Sequence, residues 1–277
     1  MKANNTPSDA EEMSKLSQLI FNKEPSHYKT HSALMQYYNN YFIYDITSRN
    51  FNEKSLNRQL ELIKYCEEEN DLLKYRAKEY ITSNTNLITI YASLRKGKEM
   101  DTTFQKINNF YALLPSKHKT ENVKERLNRF FLNYIGNLVN LNDFKKAVFY
   151  WENESNNIDT NTLRDATFII LKFNLLIIYF SLGNYHEALK HANSILNFKS
   201  KQVIDVQVLS RILSLIIHYE LNNFKMLPYL TKQSKSFVQK HAIPPLFFME
   251  MLQFFSNPNL FDWDKEEKRS AFISLSS

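Results

Sequence analysis

The 277-residue chain carries 35 Lys and Arg against 29 Asp and Glu, a formal charge of +6, and is 43% hydrophobic and 14% aromatic. Its three glycines, Gly97, Gly136 and Gly183, fall far below an ordinary usage of about 7%. They are too few for the turns of a β-rich fold or the phosphate loops of a doubly wound one, so the composition points to an all-α chain. The single cysteine, Cys66, excludes an intramolecular disulfide and a multi-thiolate metal site and reads as a small core residue of its helix.

The positive charge invites a nucleic-acid reading, which the composition weakens. Lys dominates over Arg in a chain rich in Asn, Ile, Phe and Tyr, a mixture that an AT-rich genome produces whatever the function. Arg, the better reader of phosphates and bases, is the minority cation. The opening MKANNTPSDAEEMSKL puts no apolar stretch behind a positive charge, so no signal peptide is expected. The most apolar run, Phe168 to Leu182, is interrupted by Lys172, Asn174 and Ser181. It falls short of the roughly 18–20 apolar residues that a membrane span needs. The expected compartment is the cytoplasm, with no membrane partner.

Apolar residues recur at helical spacing along nearly the whole chain. Ser8 and Glu11 make a capping-box start for a short helix carrying Met13, Leu16, Leu19 and Ile20, and residues 22–25 end it. Helices are then expected over 27–48, 52–69, 71–94, 99–114, 121–140, 143–156, 162–182, 185–198, 202–221, 224–240 and 244–256, with a short last one after Phe261. No strand and no domain-separating linker are expected. The domain reading is an N-terminal segment over 1–24, a helical repeat domain over 25–257, and a C-terminal short helix and tail over 258–277.

The turns between alternate helices resemble one another. Residues 182–189 read LGNYHEAL, 141–148 read LNDFKKAV and 221–228 read LNNFKMLP. Each has Leu, then Gly or Asn, a polar residue, an aromatic, and a small or apolar residue three further on. Residues 49–51 make a weaker copy and 97–99 a weaker one still. The aromatics Phe51, Phe144, Tyr185 and Phe224 bracket units of helical-repeat length. Gly or Asn can take the left-handed conformation that closes the first helix. The aromatic then packs back into the hairpin, and Ala147 or Ala188 lets the two helices approach. Each pair leaves an apolar face for the next to bury.

Residues 175–196, LLIIYFSLGNYHEALKHANSIL, resemble the central part of a tetratricopeptide repeat, with Leu175, Tyr179, Gly183, Tyr185 and Ala188 at its signature positions. The match is partial around Phe144 and Phe224, and the remaining units are longer than that family's repeat. The whole chain also resembles the C-terminal part of longer bacterial tetratricopeptide-like proteins. The resemblance implies a right-handed α–α superhelix of stacked antiparallel helix pairs. It would act as an interaction scaffold for a protein or peptide and brings no catalytic residues, metal or cofactor.

A search for chemistry agrees. No phosphate-loop or dinucleotide pattern occurs. His186 and His191 are five apart, roughly 140° around a helix, and cannot converge on one ion. His27 and His31 have the four-residue spacing but no identifiable third ligand, and read as surface histidines. Glu67 to Glu69 read as a solvated helix end. The function expected is non-enzymatic; an RNA-binding solenoid, or an enzyme whose site the sequence hides, is the alternative.

Two surfaces stand out. The resemblance places the first helix of each pair on the concave side, which assigns Leu132, Gly136 and Val139 to it. Ile170, Phe173, Ile177 and Phe180 follow from the next helix, and Leu209, Ile212, Ile216 and Tyr219 from the one after. Such a hydrocarbon surface is either filled by the chain's own helices or a greasy groove for an amphipathic helix. Between Ala188 and Met249 the bases outnumber the acids, Asp205 and Glu220, and Lys225, Lys232, Lys235 and Lys240 share one side of a helix. They read as the solvent face of a convex helix or as a basic docking patch. The apolar segment 244–255 follows the last full pair and is expected to cap it, leaving a monomer.

Overall fold

The protein is described from a computed structural model, which covers residues 25–28, 30–68, 70–155, 158, 163–198, 203–241, 246–257 and 270. The expected helices from Ser8 and after Phe261 lie outside them. All regular structure among the described residues is helical, in the all-α pattern that the composition implies. Contacts divide the chain into two compact units, Met1–Leu141 and Asn142–Ser277, and the boundary falls inside one of the repeated turns.

The first unit contains α1 (His31–Thr47), α2 (Glu53–Glu68), a single turn α3 (Asn70–Leu73), α4 (Ala77–Ser93), α5 (Gly97–Leu113) and α6 (Glu121–Asn140). The expected helix over 71–94 is broken at Lys74 to Arg76, because Arg76 leaves helical geometry (φ −110°, ψ 24°) and its guanidinium lies 2.9 Å from His31 Nδ1. No glycine or proline marks that break. Helix α4 is the centre of this unit, packed on α2, α5 and α6. Tyr80, Ile81, Leu87, Ile88 and Ile90 of α4 are buried, as are Phe104, Phe130 and Tyr134 around it, and Cys66 sits in the core. Rings of Phe104 and Tyr134 stack at 3.8 Å.

A polar seam runs through the same packing. The Asn86 amide donates to Asn39 Oδ1 (3.2 Å), the Thr89 hydroxyl to Asn133 Oδ1 (3.2 Å), and the Asn137 amide to the same oxygen (2.8 Å). Gln59 of α2 donates to the Ser83 carbonyl of α4 at 2.8 Å. Buried polar groups are tolerated because they are paired, and each pairing sets the register of one helix on the next.

The second unit contains α7 (Phe144–Glu154), α8 (Asp165–Ser181), α9 (Tyr185–Leu196), α10 (Ile204–Glu220), a 3-10 turn over Phe224–Met226, α11 (Leu227–His241) and α12 (Leu246–Phe255). Helix α9 packs on α8 and α10, α10 on α11, and α12 on both α10 and α11. Buried Val208, Ile212 and Leu215 of α10 share one core with Leu227, Val238, Phe248, Met251, Leu252, Phe254 and Phe255. The C-terminal helix thus covers the last pair, as its apolar content implies.

One turn recurs at five of the helix junctions. The second residue after the last helical one takes the left-handed conformation in each: Arg49 (φ 52°), Arg95 (φ 60°), Asn142 (φ 60°), Gly183 (φ 73°) and Asn222 (φ 56°). At Gly183 the next amide, of Asn184, donates to the Tyr179 carbonyl at 2.8 Å, while the Gly183 amide donates to Phe180 at 3.0 Å. Lys96 to Tyr91 (2.8 Å), Asn223 to His218 (2.8 Å) and Asn50 to Asp45 (3.0 Å) repeat the longer bond. This is the Schellman closure, which satisfies the carbonyls that a helix end leaves orphaned. Asp143 and Asn184 then cap the following helix by accepting from Lys146 and Glu187 amides. Leu175, Ala147 and Ala188 are fully buried, and Tyr179 nearly so; Phe144, Tyr185 and Phe224 are half-buried.

One correction concerns the turn at 93–97. Gly97 does not hold the left-handed position there. Arg95 does, and Gly97 stands where the other turns carry an aromatic, as the first residue of α5.

The two glycines should therefore respond oppositely. Gly183→Val must force a β-branched residue into the left-handed region and should cost about 1–2 kcal/mol. Ala added at Gly97 would meet only Leu141 Cδ1 at 3.8 Å, an ordinary contact, so Gly97→Ala should be neutral or stabilising by up to about 1 kcal/mol. Urea denaturation of both variants checks this; equal midpoints would mean that the left-handed turn carries no strain. Truncation after Lys240 removes the cover of Ile212 and Leu215 and should give aggregation or dimerisation in light scattering.

A candidate cationic groove between three helices

The expected concave residues divide between the units. In the first, Leu132 and Val139 are buried and Gly136 half-buried, so these side chains belong to the packing of α6 and present no open surface. In the second, Ile212 is buried, and Ile216 and Tyr219 pack against the core that α12 completes. The Tyr219 ring lies 6.5 Å from Phe254 and 6.1 Å from Phe255. Helix α12 therefore fills part of the hydrocarbon surface of α10. The rest stays wetter: Ile170 is 54% and Leu209 43% exposed, while Phe173, Ile177 and Phe180 are half-buried. Helix α8 is apolar nearly all round without being buried on all sides.

A concavity lies on another side of α10, where Arg211 points. It is a groove of about 680 Å³ between α9, α10 and α11. From α9 and its C-terminal cap come Asn193, Leu196 and Asn197; from α10 comes Arg211; the other wall is α11. That wall is one side of a helix: Tyr229, Leu230, Lys232, Gln233, Ser236, Phe237 and Lys240 follow at intervals of one to three residues. The eleven residues of rise from Tyr229 to Lys240 make it about 16 Å long.

Of the four lysines singled out from the sequence, Lys232 and Lys240 line this groove, while Lys225 and Lys235 lie outside it. Lys225, Lys232 and Lys240 are exposed and Lys235 is half-buried. The residue that sequence reasoning passed over is Arg211. Its guanidinium carbon lies 4.1 Å above the Phe237 ring, a cation–π contact that holds it flat against the groove wall. Its Nε is buried with no hydrogen-bond partner among the described residues. Burial pulls Arg211 below the ordinary guanidinium value. The acids of these three helices are Glu187, Asp205 and Glu220. Glu187 pairs with Lys190 at 2.6 Å, and none of the three lines the groove. The wall is thus cationic and uncompensated, with the amides of Asn193, Asn197 and Gln233 interspersed.

Comparison with family models, with curated proteins and with solved structures finds no match. The likeness of residues 175–196 to a tetratricopeptide repeat is a local one.

Among the described residues no group of three or more His, Cys, Asp or Glu is placed to hold a metal ion. The side chain of His27 lies outside the described residues. His191 instead stacks on Tyr179, with ring centroids 5.5 Å apart. Desolvation, with Lys172 nearby, lowers its pKa to about 4, while Glu187 opposes the shift and Lys190 adds to it. Burial also lowers His218. No described helix is long and apolar enough to cross a membrane.

His191 supplies a pH test of this packing. Its folded pKa lies below the unfolded value of about 6.5, so the unfolded state binds the proton better. The stability it contributes is complete above pH 6.5 and is lost as pH falls toward 4. Substituting Phe, which keeps the stack on Tyr179, should remove about 1–3 kcal/mol of the stability lost between pH 7 and pH 4. Chemical denaturation at both pH values measures it, and identical pH dependence in His191→Phe would refute the assignment.

Proposed function

We propose that this chain is a divergent, tetratricopeptide-like scaffold that binds another protein or a peptide and catalyses nothing itself. The observation that carries the reading is the groove between α9, α10 and α11. It is open to solvent and long in one direction, and it is lined by groups that donate hydrogen bonds and present charge. Such a lining suits a chain of repeating polar groups better than a single reacting bond. The repeated left-handed turns support the same reading. Helix pairs added one after another build extended surface, and the exposed Ile170 and Leu209 add apolar contacts to that surface. With no acidic residue along α11, a basic RNA-binding solenoid is the competing use of the same charge.

The test is site-specific photo-crosslinking in cells. A photoreactive amino acid is placed at Ser236 in the groove, at Ile170 on the exposed edge of α8, and at Lys78 on the first unit as a control. Discrete protein adducts at 236 or 170, absent at 78 and unchanged by nuclease, are the expected result. Adducts made only of nucleic acid would replace the scaffold with the RNA-binding reading.

A further inference from the structure

Arg211 holds a position that stability alone does not explain. Another partly buried arginine, Arg58 of α2, is paired with Asp45 at 2.7 Å and stacks on Tyr41 at 4.3 Å. Arg211 has the stacking, and among the described residues no carboxylate pairs with it. A guanidinium taken partly out of water and left without an anion costs folding free energy, and it recovers that cost when an anion arrives. Two further cations, Lys232 and Lys240, stand along the same 16 Å wall of about eleven residues' rise. They are eight positions apart on α11, which puts their backbones about 12 Å from each other. One small anion cannot satisfy charges spread over that length.

The spacing matches a polypeptide. An extended chain rises about 3.3 Å per residue, so about five residues fill the groove end to end, and acids at alternate positions would recur roughly every 7 Å along it. Asn193 and Asn197 face such a chain with both donors and acceptors, the complement of its main-chain N–H and C=O groups, while the Gln233 amide donates to the Tyr229 hydroxyl within the wall at 2.6 Å. Leu196 and Leu230 supply apolar contact between the charges. A single-stranded nucleic acid fits less well. Its successive bases bind by stacking on open aromatic faces; Arg211 covers the Phe237 face, which leaves the exposed Tyr229 as one ring in this lining where a strand needs several.

We infer that the groove between α9, α10 and α11 receives an extended acidic peptide segment of a partner protein, with Arg211 gripping one carboxylate by its guanidinium fork and Lys232 and Lys240 the flanking ones. The inference rests on the scaffold reading and adds the partner's chemistry and the place where it docks.

Fluorescence anisotropy with the full-length protein tests it. The probe is a labelled heptapeptide of alternating Glu and Leu, beside a counterpart with Gln for Glu and a labelled twelve-residue oligothymidylate. The Glu peptide should bind at least tenfold more tightly than the Gln peptide, and its affinity should fall as salt rises from 50 to 300 mM. Arg211→Met should weaken it at least tenfold. The paired change Lys232→Gln with Lys240→Gln, at exposed positions where folding is not at stake, should do the same. Arg211→Met should melt no lower than wild type, because it removes a buried charge without a partner; a merely structural arginine would lower the melting temperature.

Equal binding of the Glu and Gln peptides would overturn the inference, as would undiminished binding by the lysine variant. Binding of the oligothymidylate in preference to the Glu peptide would overturn it in favour of nucleic acid. Failure here is separable from failure of the scaffold reading, because protein adducts at Ile170 would still uphold a scaffold that docks its partner elsewhere.

Discussion

Everything in this architecture is hung on a chain reversal that takes only a few residues. A helix ends, one residue goes left-handed, backbone amides reach back to the carbonyls that the helix leaves open, and after Arg95, Asn142 and Gly183 the next helix starts two residues later. Four of the five left-handed residues are Arg or Asn, each of which carries a steric penalty that glycine avoids. The turn is retained because it leaves no orphaned carbonyl and no slack. With so short a connection the two helices must lie close, and the residue three past the aromatic position takes the strain of that approach. It is alanine, fully buried, at Ala147 and Ala188. Where the turn has no aromatic, at Gly97, the fully buried Met100 stands in the same place.

The position of the groove follows from how α10 is used. Successive residues on a helix point about 100° apart, so Arg211 and Ile212 look in different directions. Ile212 faces the core that α12 completes, and Arg211 faces the gap beside α9. Once α12 has covered one flank of α10 and α11, the other flank is the place where a depression remains. The apolar C-terminal helix thus closes the repeat on one side and leaves the cationic side open. Arg58 and Arg211, both stacked on an aromatic ring, show what that difference means. Arg58 belongs to a paired, stacked cluster that ties α1 to α2, and Arg211 keeps its charge available.

The two units spend polarity differently. The first buries asparagine, glutamine and threonine in a hydrogen-bonded seam between α1, α4 and α6 and between α2 and α4. Such bonds add about 1 kcal/mol each in net stability, but a mispaired seam would leave buried polar atoms unsatisfied at a greater cost. They act chiefly to exclude other registers. The second unit has a largely hydrocarbon core under α12, and its buried polar side chains, Gln207, Ser210, Ser214, Thr231 and Ser234, are fewer and mostly small.

By itself the sequence determined the class of fold, the order of the helices and the chemistry of their ends. Helical periodicity, scarce glycine and the recurring Leu-Gly/Asn-polar-aromatic turn are local signals, and local signals decide local backbone. They placed Gly183 in the left-handed region and Ala188 in the core, and they marked the segment before Phe255 as a cover. What only the tertiary structure decided depends on distance between residues far apart in sequence. The break before Ala77 has no glycine or proline to announce it. The left-handed role of Arg95 was hidden by the neighbouring Gly97. Leu132, Val139 and Ile212, apolar at positions where a repeat would expose them, are buried by packing that periodicity cannot see. Arg211 is one cation among several in a basic stretch until three helices are assembled. Only then do Phe237 beneath it and, among the described residues, the lack of a paired carboxylate set it apart, because such neighbours are a property of space and not of sequence.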